Sequence, residues 1–252
     1  MGKVVIENLK TLFYALLLAG LFRTLLFQPF WIPSGSMKDT LLIGDFMFVN
    51  KMAYGYSRHS CPWSLCPFSG RLLASEPERG DVVVFKHPVS NKDFVKRLVG
   101  LPGEQIRMKD GVLLINGEEA PQQPDGHFEE ILGVDDRRGG NLRCTEVEGK
   151  SCLKPRFREN LPNGVEHSIL DIGLSPVDNT PVFTIPPGEY FFIGDNRDNS
   201  SDSRYSKLRG GVGTVPFENL VGRADRVMFS SSGRSLFFFW TWRKGRFFKE
   251  IQ

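Results

Sequence analysis

The chain has 252 residues, of which 40% are hydrophobic and 24% charged, an ordinary composition for a folded protein with a core of its own. The net charge is only +3, and no basic cluster of the kind that binds phosphates precedes the C-terminus, so we exclude nucleic acid as a partner. The 26 glycines and 16 prolines favour a β-rich body with frequent turns.

The only long hydrophobic run lies near the N-terminus. Residues 1–10 form a head with two lysines, and residues 11–31 are almost wholly apolar apart from Arg23. The run has about the 20 residues that cross a bilayer, and its last aromatic residues suit a membrane interface. A cleaved signal peptide is the alternative, but Ala19-Gly20-Leu21 is a weak cleavage site and the apolar run continues past it. We predict one uncleaved transmembrane anchor with a cytoplasmic head, which places everything after Trp31 outside.

Short strand-like runs separated by turns follow the anchor. Residues 46–49, 81–86 and 93–100 are rich in β-branched and aromatic residues, and residues 105–115 have the pattern of a hairpin. Residues 118–180 are polar and turn-rich, with a further hairpin signal at Pro162-Asn163-Gly164, and we interpret them as an inserted second lobe.

The predicted fold class is therefore mainly β, with an N-terminal transmembrane helix followed by a β-rich domain of antiparallel sheets and an inserted second β lobe. The predicted divisions are a cytoplasmic head at 1–10, an anchor at 11–31, the main β domain at 32–117 and 181–234, the second lobe at 118–180 and an aromatic, basic tail at 235–252.

The tail has two interpretations. It is either a core strand with a solvated end or, as we prefer, an interfacial foot whose aromatic residues enter the lipid headgroup layer. In the second case its basic residues would face anionic lipid. These residues are Arg243, Lys244, Arg246 and Lys249.

The four cysteines form two close pairs in sequence, Cys61/Cys66 and Cys144/Cys152. Close pairs in a chain with an N-terminal hydrophobic segment indicate disulfides in an oxidising compartment. We predict a disulfide between Cys144 and Cys152 and leave the state of Cys61 and Cys66 open; the local pairing is a preference among the three that are possible. Neither pair has zinc-site spacing and the four histidines are scattered, so we expect no metal. No phosphate- or dinucleotide-binding glycine pattern follows a strand, and we expect no cofactor.

Residues 33–45, PSGSMKDTLLIGD, place two serines where the chain would leave a bilayer. A serine is a poor nucleophile unless a neighbouring base takes its proton. The chain has no G-x-S-x-G elbow, and its histidines suit no triad, which leaves a lysine as the base. That lysine must be neutral, so its pKa must fall several units below its usual value of about 10.4 through burial.

Two lysines are candidates for the base. Lys96 lies in a strand with apolar neighbours, and Arg97 beside it must point to the opposite face. The alternative for Lys96 is an edge-strand lysine in water. Lys38 is nearer to Ser36 in sequence, but it follows a turn among surface-like residues where nothing would keep it neutral, and we set it aside.

Residues 194–204, GDNRDNSSDSR, are the densest polar segment of the chain and contain no apolar side chain. A solvated loop is one interpretation. Charges and hydroxyls set this close after a buried strand usually form a hydrogen-bonded network, and such a network could position a catalytic lysine.

Four blocks of the sequence, in this order, resemble the bacterial type I signal peptidases: residues 32–41, 79–85, 95–103 and 194–204. With the anchor they cover a minority of the chain. The resemblance implies a serine endopeptidase that removes signal peptides from exported pre-proteins after small residues, by the A-x-A rule. It also implies a single-pass protein of the bacterial inner membrane. The main β domain would be the catalytic domain and would lie on the periplasmic face. We expect pre-proteins and the lipid bilayer as partners, and a monomer.

The same resemblance assigns roles to individual residues. Ser36 would be the nucleophile that forms an acyl-enzyme, and Lys96 the general base. The Ser36 N–H and the Ser34 hydroxyl would form the oxyanion hole. Ser200 would orient Lys96 by a hydrogen bond, and Asp202 and Arg204 would brace the loop as an ion pair. The pocket for the small residue before the cut would be lined by Ile32, Pro33, Met37, Leu41 and Val95.

The leader peptide would bind as an added strand between the Ser36 segment and residues 81–86. The chain departs from the family pattern at Asp39, where proline is frequent, and at residues 206–211, where Trp-Gly is usual; it also has one anchor where some members have two. Two other functions remain as alternatives: a self-cleaving serine–lysine protease of the repressor type, and a membrane-tethered binding module without catalysis.

Overall fold

The structure is a computed structural model that describes residues 2–61, 64, 66–131, 144–149, 151–233 and 238–251. Within these residues it has one α-helix and 18 strands: α1 Gly2–Leu25, β1 Phe27–Trp31, β2 Asp45–Asn50, β3 Tyr56–Ser57, β4 Arg71–Leu72, β5 Val82–Lys86, β6 Asp93–Gly100, β7 Gln105–Lys109, β8 Val112–Ile115, β9 Glu118–Glu119, β10 Gln122–Ile131, β11 Glu146–Glu148, β12 Ser151–Asn160, β13 Glu166–Leu170, β14 Phe183–Thr184, β15 Glu189–Ile193, β16 Val215–Pro216, β17 Leu220–Ser230 and β18 Lys249–Glu250. Short 3-10 helices occur at Arg58–Ser60, Arg197–Asn199, Lys207–Arg209, Phe217–Asn219 and Phe239–Thr241.

The main sheet has eight strands in the order β1-β2-β17-β5-β6-β15-β16, with β18 beside β17. Its paired neighbours are antiparallel. At its centre, β5 is apolar on both faces: Val82 and Val84 enter one hydrophobic cluster, and Val83 and Phe85 enter another. A strand buried on both faces needs a continuous apolar run, which residues 82–85 supply. The core therefore lies on both sides of the sheet that carries β6 and Lys96.

Three smaller sheets accompany the main one. Strands β10, β12 and β11 form the first in that order, with β13 added to β12; strands β14, β7, β8 and β9 form the second, and β3 and β4 form the third. The predicted hairpin around Pro162-Asn163-Gly164 is present, because β12 pairs antiparallel with β13 across it.

The predicted fold class is confirmed by an N-terminal helix followed by antiparallel sheets. Helix α1 is long and apolar enough over Lys3–Leu25 to cross a membrane. The division into head, anchor, main domain, second lobe and tail stays a prediction.

The helix ends earlier than the predicted anchor. The anchor was predicted to run to Trp31, but α1 ends at Leu25 and Phe27–Trp31 is strand β1, paired with β2. Pro29 explains the difference, because its ring would clash inside a helix and disfavours the helical conformation of the residue before it. A proline is tolerated in β1 because this strand is at the edge of the sheet, where its missing N–H breaks no ladder.

The structure contains two disulfides, Cys61–Cys66 and Cys144–Cys152, with Cα–Cα distances of 5.3 and 5.4 Å. The predicted disulfide between Cys144 and Cys152 is present, and Cys61 and Cys66, whose state the sequence left open, are also bonded. The second disulfide joins the segment before β11 to β12, so it belongs to the β10–β13 sheet.

The described part of the tail, residues 238–251, is partly packed against the main sheet. The Arg246 guanidinium is buried and forms an ion pair with the Asp45 carboxylate. The prediction that Arg246 faces lipid is therefore wrong, because a guanidinium paired with a buried carboxylate cannot also reach the headgroups. Nearby, Arg243 donates a hydrogen bond of 2.9 Å to the carbonyl of Ile43.

Other tail residues have the exposure that an interfacial foot needs. Phe239 and Trp240 are 69% and 68% exposed, and Phe247 and Phe248 are also exposed. Membrane contact by the tail stays a prediction, and residues 235–237, where the predicted tail begins, lie outside the described residues.

Candidate active site

Ser36 and Lys96 meet although 59 residues separate them in the sequence. The Lys96 Nζ lies 2.6 Å from the Ser36 Oγ and 3.0 Å from the carbonyl oxygen of Val95. Strand β6 brings Lys96 to this position, and Ser36 comes from the turn between β1 and β2. Both residues are buried, with 3% and 8% of their surface exposed. The arrangement is a hydroxyl in direct hydrogen-bond contact with an amine.

The environment of Lys96 makes its ammonium group easier to deprotonate. Burial lowers the pKa of Lys96 to about 8, because water no longer stabilises the ammonium form. The carboxylates of Asp202 and Asp195 oppose this shift and Arg204 adds to it, but burial dominates. The alternative of an edge-strand lysine in water is therefore wrong.

Asn196 forms hydrogen bonds to two consecutive backbone carbonyls, those of Gly35 and Ser36. Its Nδ2 donates a hydrogen bond of 2.9 Å to the carbonyl of Gly35, and its backbone N–H donates one of 3.1 Å to the carbonyl of Ser36. Asn196 is fully buried. No pattern in the sequence predicts a role for Asn196, whose one signal is its place in the polar segment 194–204.

That polar segment is a buried network rather than a solvated loop. The Arg204 guanidinium donates two hydrogen bonds of 2.9 Å to the Asp202 carboxylate, which is the predicted ion pair. Asp202 also accepts a hydrogen bond of 3.0 Å from the backbone N–H of Gly194, and Arg204 donates one of 2.6 Å to the carbonyl of Arg197. Burial alone would raise the pKa of Asp202, but the Arg204 guanidinium outweighs it and lowers the pKa. Asp202 is thus a carboxylate at neutral pH.

Ser200 does not hydrogen-bond to Lys96 in the structure. Its Oγ is buried and lies near the Asp202 carboxylate, whose pKa it helps to lower. The hydroxyl also lies against Gly194: a Cβ built on Gly194 would be 2.2 Å from the Ser200 Oγ and 2.5 Å from the carbonyl oxygen of Ser36. Ser200, Gly194 and Ser36 are therefore in close contact, and the predicted orienting role of Ser200 stays a prediction.

The predicted pocket residues differ in burial. Ile32, Met37 and Leu41 belong to one buried hydrophobic cluster, and the half-buried Val95 packs against it. Pro33 is exposed instead, as is Ser34, one residue further on. Four of the five residues are thus brought together near Ser36, and whether they line a substrate pocket stays a prediction.

Arg97 points to the opposite face of β6 from Lys96, because side chains alternate along a strand. It is fully buried there. Its guanidinium donates hydrogen bonds of 2.9 and 2.7 Å to the two carboxylate oxygens of Asp195, and one of 2.7 Å to the carbonyl of Gly80. Asp195 also accepts a hydrogen bond from the Thr40 hydroxyl. This pair joins β6 to the polar segment, and no pattern in the sequence predicts it.

Lys38 is buried, and the prediction that it lies at the surface is wrong. Its exposed fraction is 2%, and its ammonium group pairs with the Glu130 carboxylate of β10. The sequence around Lys38 resembles a surface turn, but Glu130, 92 residues away, supplies the compensating charge that allows its burial.

The family model for "Signal peptidase, peptidase S26" matches residues 5–229 of the chain. Similar proteins include the signal peptidase I of Rickettsia canadensis (strain McKiel), 37% identical over 242 residues that cover 91% of this chain and 82% of that protein. The signal peptidase I of Rickettsia akari (strain Hartford) is 39% identical over 230 residues, covering 86% of this chain and 77% of that protein. A crystal structure of a signal peptidase I from Enterococcus faecalis V583 matches with 28% identity and a TM-score of 0.32, covering 59% of this chain and 97% of that one.

Proposed function

The chain belongs to the signal peptidase family (peptidase S26). We propose that Ser36 and Lys96 are its catalytic dyad and that the protein is a membrane-anchored signal peptidase I. Membership makes the protein a serine endopeptidase, a hydrolase that acts on the signal peptides of pre-proteins. The single observation that carries the dyad is the contact of 2.6 Å between the buried amine of Lys96 and the hydroxyl of Ser36.

The first half of the reaction forms an acyl-enzyme. Neutral Lys96 takes the proton of the Ser36 hydroxyl while the Oγ attacks the scissile carbonyl carbon. The negative charge that develops on the carbonyl oxygen is met by the backbone N–H of Ser36 and the hydroxyl of Ser34. Lys96, now an ammonium, gives its proton to the leaving amine, and the leader peptide remains attached to Ser36 as an ester.

The second half releases the leader. A water molecule gives a proton to Lys96 and attacks the ester carbonyl, and the Ser36 Oγ leaves and regains its proton from Lys96. The same lysine thus serves both steps. Its burial is useful in both, because an amine with a pKa near 8 exists partly in the neutral form at neutral pH.

The strand pairing of the main sheet changes where the leader can bind. The expected place was beside residues 81–86, but β5 is paired with β6 on one side and with β17, through Val83–Phe85, on the other. Most of that edge is thus already paired, and at its start only residues 81 and 82 lie outside the β17 pairing. In β6, by contrast, β15 pairs only with residues 97, 98 and 100, so no described strand covers that side of residues 93–96.

The unpaired edge of β6, residues 93–96, ends at Lys96, the proposed general base. We therefore place the leader as an added strand along residues 93–95, with its scissile bond beside Lys96 and Ser36. The cluster of Ile32, Met37 and Leu41, with Val95 against it, would form an apolar wall that leaves room only for small side chains. That wall supports cleavage after A-x-A sequences.

The proposed location of the protein rests on helix α1 and on the disulfides. Helix α1 precedes the β domain, and its head carries two lysines, which favours a cytoplasmic head and a periplasmic catalytic domain at the inner membrane. Both disulfides lie after helix α1, on the side of the anchor where an oxidising compartment is expected. We expect the protein to act as a monomer.

The experiment that tests this function is incubation of the purified full chain with a leader-bearing pre-protein, with the products identified by mass spectrometry. We expect one cut, directly after a small residue that has another small residue two positions before it. A pre-protein with a large residue directly before the cut is the matched control. No cleavage, or equal cleavage of the control, would contradict the proposed specificity.

The pH dependence of cleavage tests whether the general base is a lysine. Because the neutral amine is the active form and the pKa of Lys96 in the free protein is about 8, we expect kcat/KM to rise as pH increases through about 8 and then level off. Two units below that pKa, about 1% of the amine is neutral, so kcat/KM at pH 6 should be about 100-fold below its plateau. Steady-state rates on one pre-protein across this range provide the measurement. A rate that is flat between about pH 5 and 9 would rule out a lysine base.

A further inference from the structure

A second buried group of charges lies next to Ser36 and takes no part in the reaction above. The Lys38 ammonium and the Lys154 ammonium contact the two oxygens of one carboxylate, that of Glu130, and the Lys154 contact is 2.6 Å. The exposed fractions of Lys38, Glu130 and Lys154 are 2%, 2% and 1%. These three residues, which we call the Lys38 cluster, join the nucleophile segment to strands β10 and β12.

The side chain of Lys38 supports the backbone of the nucleophile turn. A Cβ built on Gly35 would lie 3.0 Å from the Cε of Lys38 and 3.3 Å from its Cδ, so the lysine chain is in contact with Gly35. The backbone N–H of Lys38 also donates a hydrogen bond of 3.2 Å to the carbonyl of Gly35. Asn196 holds the same carbonyl through its amide at 2.9 Å. Gly35, directly before Ser36, is thus held both by Asn196 and by Lys38.

The ammonium end of Lys38 is held by its ion pair with the Glu130 carboxylate. Burial alone would raise the pKa of Glu130, but its hydrogen bonds from Lys154 and Lys38 outweigh burial and lower the pKa. Glu130 is therefore ionised at neutral pH and can anchor both ammonium groups. Lys154 pairs with the oxygen that Lys38 does not use, so the carboxylate orientation is set from both sides.

Stability alone is a poor explanation for this arrangement. Buried ion pairs often stabilise a fold no more than apolar residues of the same volume would, because desolvation of the charges offsets their attraction. What a buried pair does supply is a defined geometry, since each charge must stay with its partner. Here the defined geometry is that of the turn that presents Ser36.

We propose that Lys38 is a positioning residue for Ser36, which it holds at the correct distance from Lys96 by supporting Gly35 from an anchor on Glu130. The proposal rests on the proposed role of Ser36 as nucleophile. It also gives the β10–β13 sheet a task in the reaction, because β10 carries the anchor and β12 carries Lys154. Lys38 itself does not touch the reacting atoms.

Two substitutions test the proposal by steady-state kinetics on one pre-protein. Lys38→Met keeps the length of the side chain and removes its charge, and Glu130→Gln keeps the shape of the anchor and removes its charge. A displacement of the nucleophile by about 1 Å can lower the rate about 100-fold, so we expect kcat to fall about 10- to 100-fold. KM should stay within about twofold, because the leader's binding edge on β6 is untouched.

Lys154→Met is the matched control. It removes a lysine from the same carboxylate, with the same burial, but leaves the Lys38–Glu130 pair intact. We expect kcat within about twofold of that of the unchanged protein, even if the melting temperature falls. Arg156→Met removes the partly exposed ion pair of 3.4 Å with Asp39, together with the contacts of Arg156 to Asp125. It controls for a general loss of contact between β12 and the nucleophile segment, and kcat should again stay within about twofold.

Each outcome decides the question. The proposal is overturned if Lys38→Met keeps kcat within twofold, or if Lys154→Met loses as much activity as Lys38→Met, since the cluster would then be only structural. If Lys38→Met does not fold, as seen by circular dichroism, the isosteric Glu130→Gln variant carries the same expectation. Failure of the proposed function is distinguishable, because the unchanged protein would then not cleave the pre-protein at all.

Discussion

Ser36→Ala is expected to lower kcat for pre-protein cleavage by about 1,000-fold or more, because no other group can form the acyl-enzyme. Lys96→Met should have an effect of similar size, since the Ser36 hydroxyl would then face an apolar chain at the position where the amine now lies 2.6 Å away. The two residues act as one unit, so the double variant should be no worse than either single one. Initial rates with a labelled pre-protein, together with circular dichroism spectra, measure both effects.

The chain offers matched controls for both substitutions. Ser201 lies in the same polar segment as Ser200 but is exposed, and its hydroxyl donates to the carbonyl of Gly210. Lys92 is an exposed lysine just before β6. Ser201→Ala and Lys92→Met should keep kcat within about twofold. Near-normal cleavage by folded Ser36→Ala or Lys96→Met protein would refute the dyad.

Gly194→Ala is expected to impair both activity and stability, because there is no space for a methyl group at this position. The added Cβ would lie 2.2 Å from the Ser200 Oγ, 2.6 Å from its Cβ and 2.5 Å from the carbonyl oxygen of Ser36. Relief of these contacts must move either the polar segment or the nucleophile turn. Overpacking of this kind costs about 1–3 kcal/mol in the free energy of unfolding. A shift of Ser36 relative to Lys96 should lower kcat about 100-fold.

Gly20→Ala is the control for the loss of a glycine. A Cβ on Gly20 would have no heavy atom within 4 Å, and alanine favours the helix in which Gly20 lies. We expect unchanged kcat for this variant, with both proteins assayed well below their melting temperatures. If Gly194→Ala melts and cleaves like the unchanged protein, the close packing of Gly194 against Ser36 does not exist in solution.

Local patterns in the sequence were enough for much of the fold. The apolar run before residue 26 forms a helix because nothing in it breaks the helical hydrogen bonds, and Pro29 stops that helix. Alternation along a strand separates Lys96 from Arg97, and close spacing favours the two local disulfides. The family resemblance pairs Ser36 with Lys96, because motif blocks in a fixed order carry information that composition does not.

Tertiary structure alone decided which polar residues are buried and what they contact. Asn196 reaches Gly35 across 161 positions of sequence, and Lys38 reaches Glu130 across 92. A polar side chain can be buried only where a partner compensates the loss of water, and partners so distant leave no periodic signal near either residue. The unpaired edge of β6 left no signal in the sequence for the same reason: whether a strand has a free side depends on its neighbours in the sheet and not on its own residues.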